Sequence, residues 1–214
     1  MKYIIALFGE SGCGKDTIKD MLLQQFPEIK PIMRMTTRPM REGEEQYKPY
    51  IFVSENSLQK MALEQTEEFM EVEQQRDWFY ATHKQVSFQA ESESGGYLGC
   101  YSMDSLEVLY DTVQYDKDFE IIPIRIVVDE KKRLCRQLMR EETPDCYEIC
   151  RRFLSDLKDY GCEPEFPYFT VENNGELQEC LDVISIIIKS EVLQTYHEDD
   201  DSCDCGEHNH LDNI

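Results

Sequence analysis

The amino-acid sequence predicts an α/β fold: a parallel central sheet covered by helices on both faces, interrupted by a small, mostly β insertion. Three observations predict it. A β-branched apolar run, Lys2 to Phe8, ends at a glycine-rich turn and leads into a helical pattern. A second, nearly continuous apolar run, Glu120 to Val128, reads as a strand buried on both faces, the mark of a parallel sheet. Between and after these runs, extended and helical patterns alternate along 214 residues, a length that suits one domain with an inserted piece.

The elements follow in order. After Lys2–Phe8, apolar Ile18, Met21, Leu22 and Phe26 fall at helical spacing, and Pro27 stops the helix. Residues 32–94 change character. Short alternating segments (Tyr50–Ser54, Glu68–Val72, Trp78–Thr82) surround a helical stretch, Ser57–Gln65, and together predict a small inserted lobe. Gly95-Gly96 turns the chain into a strand, Tyr97–Tyr101, and Ser102 caps a helix through Leu109. Asp129–Glu141 reads as helical. Glu142-Thr143-Pro144 breaks it, and Asp145 caps another helix to Tyr160. A short strand, Tyr168–Val171, precedes a closing amphipathic helix, Glu176–Tyr196. No internal repeat is visible.

Composition narrows the function. Asp and Glu number 44 against 22 Lys and Arg, a net charge of −22, which argues against wrapping nucleic acid or lying on anionic membranes. The longest apolar run near the N-terminus, Tyr3–Phe8, is too short for a signal core or a membrane span. Of nine cysteines, an odd number scattered along the chain, the first seven read as reduced thiols of a cytoplasmic protein rather than a disulfide framework. The cations are gathered. Lys30–Arg41 holds four basic residues and no acid, and Lys131–Arg152 holds seven against four acids. Charge runs of this kind are commonly solvated faces; what shifts the reading is the loop that precedes them.

Gly9-Glu10-Ser11-Gly12-Cys13-Gly14-Lys15-Asp16-Thr17 lies between the first strand and the first helix. Glycines let such a loop wrap a phosphate with its N–H groups pointing inward, Lys15 can reach the terminal phosphates, and the helix start adds its positive end. This is the front of a phosphate-binding P-loop, and all nine residues are candidate ATP contacts. Asp16 stands where a Ser or Thr commonly binds Mg²⁺; its carboxylate could ligate the metal itself.

With the loop in place, the sequence resembles the guanylate kinase family. The resemblance is carried by Thr36-Thr37-Arg38-Pro39-Met40-Arg41-Glu42-Gly43-Glu44, by Tyr50-Ile51-Phe52-Val53-Ser54, by Phe69-Met70-Glu71, by Trp78–Thr82, by the basic stretch Arg133–Arg152 and by Val171-Glu172-Asn173. It covers most of residues 1–195. It implies a P-loop three-layer α/β sandwich with a core of residues 1–31 and 95–196, an NMP-binding lobe of about 32–94 and a helical lid of about 136–152. It also implies transfer of the γ-phosphoryl group of ATP to GMP or dGMP, with Mg²⁺. Lys15, Arg38, Arg140 and Arg152 would neutralise the transferring charge. Arg136 and Asn173 would join the ATP side. Arg38, Arg41, Tyr50 and Tyr80 would hold the acceptor phosphate, where paired guanidinium groups suit its oxygens. Glu71 would accept the N–H donors of guanine, and Thr82 would donate to its carbonyl. No general base is expected, because the acceptor oxygen is already deprotonated.

The sequence also departs from the pattern. Arg34 stands where the family has a small hydroxyl residue, as a further phosphate contact or a structural group. Tyr97–Ser102 lacks the acids that contact guanine or metal in relatives. A relative acting on another nucleotide or a ribose phosphate therefore stays open, as does a non-catalytic interaction module, against which Lys15 and the lid arginines count. From His197 the chain becomes an acidic tail, residues 197–214, with seven acids and no Lys or Arg. Cys203, Cys205, His208 and His210 could enclose Zn²⁺ there, although their spacing is tighter than in usual zinc sites.

Overall fold

The computed structural model describes residues 1–40, 45–46, 50–75, 77–92, 94–140 and 142–193. Arg41 and the proposed zinc ligands Cys203, Cys205, His208 and His210 lie outside the described residues.

In chain order the elements are β1 (Lys2–Phe8), α1 (Lys15–Gln25), β2 (Lys30–Pro31), β3 (Met35–Thr36), β4 (Ile51–Phe52), α2 (Glu55–Glu64), β5 (Phe69–Gln75), β6 (Trp78–His83), β7 (Gly96–Cys100), α3 (Met103–Val113), β8 (Phe119–Val127), α4 (Glu130–Met139), α5 (Cys146–Asp159), β9 (Phe169–Glu172) and α6 (Leu177–Ile188). A five-stranded sheet runs in the order β2-β7-β1-β8-β9, with every pairing parallel. A four-stranded sheet runs in the order β4-β3-β6-β5, with its β3–β6 and β5–β6 pairings antiparallel.

β1 sits at the middle of the large sheet, so both its faces are covered. Ile5 and Leu7 pack with Ile18 and Leu22 of α1 and Leu181 and Ile184 of α6. Ile4, Ala6 and Phe8 face the other way, onto Leu106 and Leu109 of α3 and onto Phe166. That double burial is why the strand is apolar without alternation. The chain leaves β1 toward β7 and β2 on one side and β8 and β9 on the other, so the carboxyl end of β1 is a topological switch point, where open α/β sheets bind ligands.

Several boundaries shift from the sequence expectation. α4 ends at Met139 rather than Glu141, α2 starts at Glu55 because Ser54 accepts from the Ser57 N–H at 3.1 Å, and α6 ends at Ile188, followed by a π-helical turn over Lys189–Leu193. Caps at Ser102 and Asp145 form as the sequence implies. The small sheet has its own core of Met35, Ile51, Leu58 and Ala81, and β5 packs against α3. The cleft between the two sheets therefore opens beside the end of β1.

Candidate active site

The loop after β1 is shaped by three glycines at positive φ: Gly9 at 142°, Gly12 at 83° and Gly14 at 99°. At Gly9 a Cβ would sit 2.4 Å from the Ile126 carbonyl oxygen, which is backbone and cannot yield. The glycines thus let the loop lie against β8.

Lys15 folds back over this loop. Its Nζ donates to the carbonyls of Gly9 (2.5 Å) and Glu10 (3.3 Å) and to Cys13 Sγ (3.5 Å). Burial alone would lower its pKa; the pull of Cys13, Tyr160, Cys100 and Asp16 outweighs burial and raises it, so the ammonium stays charged. Cys13 is buried beneath the loop. Asp16 and Thr17, in the first turn of α1, are exposed to the cleft.

Residues of α4 and α5 hold the loop from outside. Asp156 accepts from Ser11 N–H (2.9 Å) and Ser11 Oγ (3.1 Å). Arg133 Nη1 bridges Asp156 (2.9 Å) and the Ser11 carbonyl (3.1 Å), and Gln137 donates to the same carbonyl. Tyr160 Oη accepts from Gly9 N–H. Arg133, Asp156, Gln137 and Tyr160 escaped the sequence reading; the only signal was that Arg133 belongs to the basic stretch. Asn173, expected near adenine, is buried, and its amide donates to the Cys13 carbonyl at 2.9 Å while Arg136 donates to its backbone carbonyl.

Two cavities meet at this loop. One, of about 530 Å³, is bounded by Gly14, Asp16, Thr17, Arg136, Arg140 and Arg152. The other, of about 310 Å³, is bounded by Asp16, Arg34, Tyr50, Glu73, Tyr80 and Ser102. Ser11, Lys15 and Asp16 belong to both. Arg152 is also paired with Glu148, which Arg151 grips with two nitrogens. Arg38 is buried behind Tyr50, its guanidinium 5.1 Å from that ring's centre, and the Tyr50 and Tyr80 rings meet edge to face.

A sequence model of the guanylate kinase family matches residues 1–191. The chain belongs to the guanylate kinase family. Among its relatives, the guanylate kinase of Wolbachia pipientis wMel is 25% identical over 195 residues, 91% of this chain and 93% of the relative. That of Synechococcus sp. (strain JA-3-3Ab) is 28% identical over 180 residues, 82% of this chain and 79% of the relative. The crystal structure of guanylate kinase from Anaplasma phagocytophilum shares the fold, with a TM-score of 0.62 at 20% identity over 91% of this chain and 88% of that one. The chain is thus an ATP-dependent phosphotransferase of the guanylate kinase kind.

Within that family frame, the base-reading pair expected from the sequence is placed differently. Glu71 and Thr82 do not line the cavity. Glu71 is 2% exposed, and its Oε1 accepts from Arg34 Nε (2.9 Å), Arg34 Nη2 (2.6 Å) and Thr82 Oγ1 (2.8 Å). Arg34 Nη2 also donates to Ser105, and the guanidinium lies 4.6 Å from the Tyr101 ring centre. A buried carboxylate needs a partner of opposite charge, and Arg34 supplies it. Arg34 is therefore the centre of a buried polar cluster and also borders the cavity.

Among the described residues no three His, Cys, Asp or Glu side chains gather as a metal cage. A divalent cation bound together with phosphates would need no such cage: one or two hard oxygen ligands and water suffice. The carboxylate of Asp16 and the hydroxyl of Thr17, both on the larger cavity beside Lys15, fit that demand.

Proposed function

We propose that the chain transfers the γ-phosphoryl group of ATP to GMP or dGMP, giving ADP and GDP or dGDP. The observation that carries this reading is the pair of cavities joined at Lys15: one walled by arginines, the other by tyrosines and a base-sized polar cluster. A donor triphosphate in the first and a nucleoside monophosphate in the second would meet at the Lys15 ammonium.

The chain's own residues do the electrostatic work. Lys15, Arg136, Arg140 and Arg152 hold the donor phosphates and gather on the charge that builds up on the transferring group. Asn173 holds the loop by its Cys13 contact and borders the adenine side. Arg38, Tyr50 and Tyr80, with Arg41, hold the acceptor phosphate, whose anionic oxygen attacks the γ-phosphorus as the bond to the ADP oxygen breaks. No proton need be removed. Bound Mg²⁺, held by Asp16 and Thr17, would neutralise the donor phosphates. Arg34 offers an N–H to the carbonyl of the base. The approach of two polyanions is the main barrier, and orientation with charge cancellation lowers it.

An interaction-only role is less well supported, because Lys15, Arg140 and Arg152 all border the donor cavity, and the family match disfavours other acceptors. Free cysteines, seven among the described residues, support a cytoplasmic setting. No helix among the described residues is long and apolar enough to cross a membrane. A coupled assay of ATP with each nucleoside monophosphate tests the reading: turnover should be fastest with GMP or dGMP and lost in Lys15→Met, and a protein faster on AMP, CMP or UMP would refute it.

A further inference from the structure

We propose that Glu73, not Glu71, is the carboxylate that reads the acceptor's base, and that it selects purines bearing two adjacent N–H donors, a ring N1–H and an exocyclic 2-amino group. The inference rests on the kinase reading above and deepens it.

Both glutamates sit on β5 two residues apart and therefore point to the same side of the sheet, opposite Thr82 and Tyr80 of β6. Their surroundings differ. Glu71 lies at the bottom, its Oε1 taken by three hydrogen bonds from Arg34 and Thr82. Arg34 covers it from the cavity: Arg34 borders the cavity and Glu71 does not. Glu73 is half-buried on the cavity wall beside Tyr80. It is also fixed in place, because Ser102 Oγ, at the N-cap of α3, donates to its Oε1 at 2.6 Å. A glutamate on the exposed end of a strand would ordinarily sweep through many rotamers; a short hydrogen bond from a second element pins this one as a specificity group has to be pinned. Burial, with the charges of Glu71 and Asp104, raises the Glu73 pKa above the ordinary carboxylate value; the Ser102 hydrogen bond and the Arg34 guanidinium oppose that rise.

The result is an ordered pair on one wall, a guanidinium edge beside a carboxylate. A base whose carbonyl adjoins N–H donors matches that pair: the carbonyl meets Arg34 and the donors meet Glu73. Adenine reverses the pattern, setting an amine against Arg34 and a ring lone pair against Glu73. The position carrying the carboxylate has thus shifted two residues along β5, from Glu71 to Glu73, with Ser102 as its anchor.

The test compares Glu73→Gln, Glu73→Ala, Ser102→Ala and Glu71→Gln in the full chain. Initial rates with GMP and IMP at saturating ATP, rates over a range of ATP at saturating GMP, calorimetric GMP binding and thermal melting are measured for each. Glu73→Gln keeps the shape and the Ser102 bond but loses an acceptor. It should raise KM for GMP about 10- to 100-fold, leave KM for ATP within about twofold, and move the GMP:IMP preference toward unity, because IMP lacks the second donor. Ser102→Ala should shift KM in the same direction by less, and Glu73→Ala should match Glu73→Gln. Glu71→Gln should instead lower the melting temperature. A Glu73→Gln enzyme with native KM for GMP and a native GMP:IMP ratio overturns the proposal while leaving the kinase reading intact. A native chain that neither binds nor phosphorylates GMP overturns both.

Discussion

Arg34 Nη2 lies 2.6 Å from Glu71 Oε1, and the two side chains are 7% and essentially 0% exposed. They meet across 37 residues of chain, at the floor of the smaller cavity. The second oxygen, Glu71 Oε2, is buried without a hydrogen-bond partner among the described residues, so Arg34 provides most of what compensates the charge. Removing one partner strands the other: Arg34→Met should cost about 3–5 kcal/mol of unfolding free energy, and Glu71→Leu a similar amount. The double variant should cost clearly less than the sum. Urea titrations of the four proteins give the cycle, and additive losses would show that the pair is not coupled.

Lys15 carries the strongest expectation for turnover. Lys15→Met preserves the length of the side chain and removes its charge, so kcat/KM for ATP should fall on the order of a thousandfold. GMP affinity, measured by calorimetry without ATP, should stay within about threefold, since the acceptor contacts proposed here lie on Arg34, Arg38, Tyr50, Glu73 and Tyr80. A parallel loss of GMP affinity would place Lys15 in acceptor binding instead.

His83 links stability of the small sheet to pH. The ring is buried, with Nε2 3.0 Å from Gln65 Oε1, and Nδ1 accepts from the Gln85 N–H. Burial lowers its pKa below the ordinary 6.5, against a small opposing pull from Glu68. A lowered folded pKa means that the unfolded chain takes up the proton first. The stability contributed by the neutral ring is therefore fully present above pH 6.5 and is lost as pH falls through the lowered folded value. The gap in unfolding free energy between the native chain and His83→Gln should narrow steadily below pH 6.5; a constant gap between pH 7.5 and pH 5, on the order of two pH units, would contradict this.

Thiol reactivity should divide by place. Burial, with Asp16 adding to it, pushes the Cys100 thiol up to about 12, and burial pushes Cys180 up to about 11. Cys13 is buried under the phosphate loop. A brief pulse of iodoacetamide near neutral pH should label exposed Cys135, Cys146, Cys150 and Cys162 ahead of these three. Peptide mass spectrometry reads the order, and early labelling of Cys100 would mean that the cleft leaves that sulfur ionised.

The legible part of the site was the part made of neighbours in sequence. Gly9, Gly12, Gly14 and Lys15 announce a phosphate loop because each glycine answers a backbone demand within a few residues. Arg140, Arg152, Tyr50 and Tyr80 were legible as a resemblance, and the structure brings Arg140 and Arg152 to one cavity and Tyr50 and Tyr80 to the other. Glu71 shows where this kind of reading stops. Its pattern match implies a base contact, a role for which local spacing gives no partner; only tertiary packing pairs it with Arg34 and sets Glu73, two residues on, at the cavity. Asp156 was equally silent: one acid on a charged helix becomes a loop anchor only when α5 is laid across the end of β1.

What the sequence determined unaided was the β1–loop–α1 unit, the parallel sheet and the concentration of positive charge, because apolar runs, glycine conformation and helix caps act over short stretches of chain. What the tertiary structure alone decided was which partner each buried or half-buried charge finds: Arg34 for Glu71, Ser11 for Asp156 across 145 residues, and Ser102 for Glu73 across 29. A charge taken out of water must find a partner, and which one it finds depends on the packing of distant elements, a relation that no local spacing encodes.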